Sequence, residues 1–101
     1  MNDCIFVGKI IDDLKLEDEQ NTKVLRFSMM VEQTRTVRGG RRISDKNALW
    51  FEAWDSGAKT IFENCTRGDD LVVKTMARTN NGKTVFRINE FKTMTDRSIP
   101  L

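Results

Sequence analysis

A single segment of this chain, SGAKTIFENC (Ser56–Cys65), carries apolar residues at helical spacing, and it stands between segments that alternate as strands do. Ala58, Ile61, Phe62 and Cys65 fall three and four apart, Ser56 offers an N-cap, and the glycine of TRG (Thr66–Gly68) supplies a stop. Before it, CIFVGKII (Cys4–Ile11) is rich in β-branched and aromatic residues around Gly8, which in a strand signals a bulge or sharp bend. KVLRFSMMVEQT (Lys23–Thr34) alternates, with Leu25, Phe27, Met29 and Val31 facing one way and Arg26, Ser28, Met30 and Glu32 the other. ALWFEAW (Ala48–Trp54) is a third extended segment. After the helix, DLVVKTMART (Asp70–Thr79) alternates again, NNG (Asn80–Gly82) is a tight hairpin signal, and KTVFRINEF (Lys83–Phe91) returns with Phe86 and Ile88 inward. Three strands, a helix and a two-stranded hairpin is the element order of the OB-fold, an all-β, five-stranded Greek-key barrel with one helix between strands three and four. Such a barrel coils strongly in its first strand, and Gly8 stands where that bend is needed.

With 101 residues there is room for one compact domain, expected over residues 1–94, followed by a short tail at 95–101. Hydrophobic content of 39% beside 32% charged residues fits a globular domain rather than a disordered chain. No apolar run approaches the ~20 residues of a membrane span. The start, MNDCIFVGKI, has an acidic residue where a signal peptide carries positive charge, so a cytoplasmic protein without membrane contact is expected. There is no histidine and there are only two cysteines, Cys4 and Cys65, too few ligands for a structural zinc site. The same absence removes the usual general base near neutral pH and every histidine-based triad. The carboxylates of 12–19 lack the spacing of a calcium loop, and no glycine-rich phosphate loop leads from a strand into a helix. No cofactor and no enzymatic activity are expected, and the two cysteines read as buried thiols.

The formal net charge of +2 is small, but its distribution is uneven. Asp12, Asp13, Glu17, Asp18 and Glu19 crowd one expected loop against Lys15 alone, while Arg35, Arg38, Arg41, Arg42 and Lys46 crowd another, the long loop between strands two and three, against Asp45 alone. Such a polarised surface offers anions one attractive end. Both tryptophans stand in ALWFEAW, where Trp50 and Trp54 share a face with Ala48 and Glu52 while Leu49, Phe51 and Ala53 take the core side. Neighbouring residues of one face stand roughly 7 Å apart, so Trp50 and Trp54, with Glu52 between them, stand roughly 13 Å apart and each could take one base. Glu52 between them is awkward, because an exposed carboxylate there repels phosphate. The opposite assignment, with both tryptophans in the core, would bury Glu52 unpaired. Met30 and Met76 point outward and suit an irregular packing surface, and Trp50 also suits a subunit interface.

Taken together, IFVGKI, VLRFSMMVEQTR, ALWFEAW, AKTIFENCTRGDDLVVKTMART and VFRINEF resemble the bacterial-type single-stranded-DNA-binding proteins over roughly residues 3 to 94. That family has a V-G-x-L motif in its first strand, here VGKI, and an F-S-L-A-V-like second strand, here FSMMV. It also has an aromatic closing the third strand, here Trp54, and a fourth strand ending in L-x-T-R, here LVVKTMART. The resemblance implies an OB-fold that lays single strands across a basic, aromatic-bearing face. It implies base stacking on Trp54, a backbone contact from Arg78, a polar or basic contact at Lys9, and a clamp from the arginines of 33–46. The chain departs from the pattern in several places. Ala48 takes the place of an aromatic, leaving Trp50 as a displaced substitute, and the hairpin after the fourth strand shrinks to TNNGK. The ending DRSIPL lacks the glycine- and proline-rich linker and the acidic tip.

The sequence therefore reads as a sequence-tolerant binder of single-stranded DNA that covers exposed strands during replication, recombination or repair. Trp50 and Trp54 would stack bases, while Arg78, Lys74, Lys9, Arg35, Arg38, Arg41 and Arg42 would neutralise phosphates. A homo-oligomer, dimer or tetramer, is expected by the resemblance, with replication proteins as further partners. Two other readings stand beside it: a primosomal-type OB adaptor that mainly bridges proteins, and an RNA-binding OB module.

Overall fold

The structure, a computed structural model, describes residues 3–94; Met1, Asn2 and residues 95–101, with the DRSIPL ending, lie outside the described residues. Its elements are β1 (Asp3–Ile10), β2 (Leu16–Glu19), β3 (Thr22–Thr36), β4 (Arg42–Trp54), α1 (Asp55–Asn64), β5 (Asp70–Asn80) and β6 (Lys83–Thr93). Five of the strands close a barrel in the order β1-β5-β6-β4-β3, sealed by the antiparallel pairing of β1 with β3. The helix sits between the third and fourth of them, as the element order requires. β4 and β6 run parallel, and the other pairs are antiparallel. No helix among the described residues is long and apolar enough to cross a membrane.

The core follows the alternation. Leu25, Phe27, Met29 and Val31 of β3, Phe51 and Ala53 of β4, and Leu71, Val73 and Thr75 of β5 are buried, joined by Ile10 and by Ala58 and Ile61 of α1. Phe51 is the aromatic centre, with ring centroids 5.6 Å from Phe6, 6.3 Å from Phe27 and 5.7 Å from Phe86. Gly8 lies where β1 pairs with β5 on one edge and begins to pair with β3 on the other. A Cβ there would meet the Met30 carbonyl oxygen at 3.1 Å and the Met29 Cβ at 3.2 Å, so any larger residue requires the seam to give by a few tenths of an ångström. Thr75 donates its hydroxyl to the Cys4 carbonyl at 3.0 Å, which satisfies the buried polar group of β5. Cys4 and Cys65 carry thiols rather than a disulfide.

Four local expectations change. The acidic stretch is only partly loop: Leu16–Glu19 pairs with Lys23–Leu25 and Thr22 around Gln20 and Asn21, both at positive φ. The 33–46 stretch is not a long loop either, because β3 and β4 stay paired out to Thr36 and Arg42 and leave only Val37–Arg41 at the tip. This ribbon has no core side to betray it, so period-two burial cannot mark it. α1 begins at Asp55, two residues before the start that a Ser56 cap implies, and Ser56 is not its cap; the Ser56 carbonyl instead accepts from Thr60 Oγ1, and the N-cap Trp54 makes no side-chain cap bond. Phe62 faces outward. Finally, the β5–β6 register slips between Lys74 and Thr75, so that Asn89 is an extra residue in β6. This bulge lets Phe91 pack on the core together with Phe86 and Ile88, which strict alternation forbids.

Candidate nucleic-acid interface

On β4, the residues that do not face the core pair with like-facing residues of β3: Trp54 with Val24, Glu52 with Arg26, Trp50 with Ser28 and Ala48 with Met30. On the other side β6 runs parallel, with Glu52 beside Arg87, and β5 lies beyond it with Arg78 opposite Val85. Strand pairing thus brings Arg26 of β3 and Arg78 of β5 onto one carboxylate, with Arg87 of β6 at the neighbouring register position. Arg78 Nη1 lies 3.2 Å from Glu52 Oε1, and Arg26 Nε lies 3.6 Å from Glu52 Oε2. Glu52 is fully buried while the two arginines remain partly exposed. Neither Glu52 oxygen has a hydrogen-bond partner among the described residues, so charge pairing rather than aligned bonding offsets its desolvation. The expected repulsion of phosphate by an exposed Glu52 is therefore corrected: the carboxylate lies beneath the arginines.

The guanidiniums of Arg26 and Arg87 stand over the Trp54 ring at 5.6 and 5.5 Å, close enough for cation–π attraction. Arg26 also pairs through Nη2 with Glu19 of β2 at 2.9 Å. Trp50 is 54% exposed and borders an open groove of about 280 Å³ with Arg26, Asn80, Asn81, Lys83, Thr84 and Val85. The two-residue turn that makes the far wall needs positive φ at Asn81 and Gly82, as the NNG signal implied.

Of the residues singled out in the sequence, Trp50, Trp54 and Arg78 come together on this face. Lys74 lies on the outer side of β5 but lines a separate groove with Ile5, Val72, Glu90, Phe91 and Lys92. Lys9 is held at the β1–β3 seam, its ammonium donating to the Gly68 carbonyl at 3.1 Å and pairing with Asp70 at 3.2 Å. It borders a groove of about 510 Å³ that also includes Met30, Glu32 and Lys46. Arg35 is engaged along the ribbon by Asp45, Nε to Oδ2 2.8 Å. Arg38, Arg41 and Arg42 stand exposed at the ribbon end, around Gly39 and Gly40 at positive φ, and form no ion pair among the described residues. Arg26 and Arg87 are the members that sequence reasoning passed over. Their parity with Trp50 and Trp54 was readable in β3, but the flanking of β4 by β6 was not.

No protein-family profile matches the chain, and no curated protein sequence does. Solved structures do. The protein PriB from Ralstonia solanacearum superposes with a TM-score of 0.80 at 8% identity, covering 94% of this chain and 99% of that one. The second single-stranded DNA binding protein of Mycobacterium smegmatis gives 0.75 at 17% identity, covering 99% and 95%. The single-stranded DNA binding protein of Thermus aquaticus gives 0.80 at 10% identity, covering 96% of this chain and 52% of that chain. The chain is thus similar in fold to these single-stranded DNA binding proteins and to PriB.

Proposed function

We propose that this protein binds single-stranded DNA with little sequence preference and covers exposed strands during replication, recombination or repair. The observation that carries the reading is the outer face of β4, where an exposed Trp50 borders a groove with Arg26 of β3 and shares its face with Arg78 of β5 and Arg87 of β6. A flat π surface next to delocalised cations is what sequence-tolerant strand binding requires, since every base has a face and every nucleotide a phosphate. The fold shared with single-stranded DNA binding proteins supports the same reading. In it, Arg38, Arg41 and Arg42 meet the strand from the ribbon, while Lys9, Arg35 and Lys74 give weaker contacts at the margins. The test is a titration with oligo-dT of several lengths, following tryptophan fluorescence and particle mass together. Quenching with saturation at a defined length supports the reading, and a flat titration at low salt removes it. Equal binding of oligo-dT and oligo-rU would extend it to RNA, since stacking ignores the 2′-hydroxyl.

A second reading, an OB adaptor that bridges protein partners, is favoured by one feature. Ile5 and Val7 on the outer side of β1 are 69% and 51% exposed, a pair that solvent alone does not explain. A homo-oligomer, dimer or tetramer, fits the same feature. Loss of oligomeric mass, with DNA binding retained, in an Ile5→Lys protein supports assembly through this strand.

A further inference from the structure

The two tryptophans of β4 have different surroundings. Trp50 opens onto a groove bordered by the Asn80–Lys83 turn, and its ring has no cation stacked on it among the described residues. Trp54 is half-buried, and cations from the strands on either side of β4 stand over its ring: Arg26 of β3 at 5.6 Å and Arg87 of β6 at 5.5 Å. Its Nε1 is buried without a hydrogen-bond partner among the described residues, so the indole is enclosed rather than presented. Between the tryptophans, the buried Glu52 draws Arg26 and Arg78 toward one point. A base reaching Trp54 would have to displace a guanidinium that already occupies the π surface, whereas Trp50 needs no displacement.

We infer that Trp50 alone receives a base, and that Trp54 and Glu52 are positioning residues that hold Arg26, Arg78 and Arg87 as a row of guanidiniums for the adjoining phosphates. The inference rests on the single-strand reading above and reverses the division of labour that the family resemblance implies. Arginine suits the row because its planar fork stacks on a ring and binds phosphate through two parallel donors, whereas lysine offers only a point charge.

Single-tryptophan proteins test it. Trp54→Phe and Trp50→Ala are each titrated with oligo-dT at low salt, and affinity is read by anisotropy of a labelled strand. The Trp54→Phe protein is expected to keep the quench and to bind within about threefold of wild type. The Trp50→Ala protein is expected to lose the quench and at least tenfold in affinity, in line with removal of one stacking platform. A quench still carried by Trp54 in the Trp50→Ala protein overturns the inference, as does a tenfold loss in the Trp54→Phe protein. Glu52→Gln supplies a readout that a merely structural role does not move. Its log–log salt slope should shrink by about 0.7, one phosphate contact, with the Trp50 quench intact. An unchanged or steeper slope would mean that Glu52 only shields the arginines, and it would overturn the positioning role. Wild-type protein that neither binds nor quenches removes both the inference and the reading beneath it. Binding with quenching through Trp54 removes the inference alone.

Discussion

Burying a carboxylate costs desolvation that only close cations can offset, and Glu52 has two of them within 3.6 Å. Because Arg26 and Arg78 keep part of their surface in water, losing the carboxylate lets them turn outward, which limits the damage. Glu52→Gln should lower stability by about 1–3 kcal/mol through the buried amide left without partners, measurable as a lower urea midpoint at unchanged slope. Gly8 is the other residue whose replacement the packing resists. An Ala at this position pushes its Cβ against the Met30 carbonyl and Met29, and backbone cannot move aside as a side chain can. Gly8→Ala should cost about 1–3 kcal/mol by the same measurement, and a neutral result would mean that the β1–β3 seam gives way easily. Asp12 is quieter but equally placed: its carboxylate accepts from the Ser28 amide at 2.7 Å and the Ser28 hydroxyl at 2.6 Å, tying the exit of β1 to β3.

At the scale of elements, the β3–β4 ribbon separates charge from stability. Its tip arginines touch no core, so replacing Arg38, Arg41 and Arg42 together by Ala should leave stability within about 0.5 kcal/mol. The same change should weaken strand binding and reduce the salt slope by up to about 2, three contacts' worth. An unchanged slope in the triple variant would show that the ribbon lies off the strand's path. The elements legible in the sequence were those with one buried side. β3 was legible through Leu25, Phe27 and Met29, α1 through Ala58 and Ile61, and the β5–β6 turn through Asn81 and Gly82. β2 and the outer half of β4 were not, because strands held only by backbone pairing leave no apolar period to read. The β6 bulge was hidden for a related reason: Phe86, Ile88 and Phe91 face one core at spacings of two and three, and only the register explains it. Half of the candidate site suffered the same way. Trp50, Trp54 and Arg78 stood out by type and position, but Arg26 and Arg87 acquire meaning only when β3 and β6 are set on either side of β4.

For the whole molecule, a radius of gyration of 15.0 Å exceeds the roughly 13 Å of a compact 100-residue domain, in keeping with a ribbon that leaves the barrel. The barrel fixes one face of stacked aromatic and guanidinium groups, and the ribbon extends the positive charge away from it. Net charge is too small to hold nucleic acid at a distance, so under the proposed function affinity would come from this local arrangement. In the proposed binding mode the acidic end, with Asp13, Glu17 and Asp18 exposed, would keep a strand from lying over the β2 hairpin. The central claim, that stacking and phosphate neutralisation act together on the β4 face, is tested most directly by oligo-dT affinity measured across a salt series. About 3–5 neutralised phosphates give a log–log slope near −2 to −3.5 with tryptophan quenching at every salt, whereas a slope near zero or binding without quenching would contradict the account.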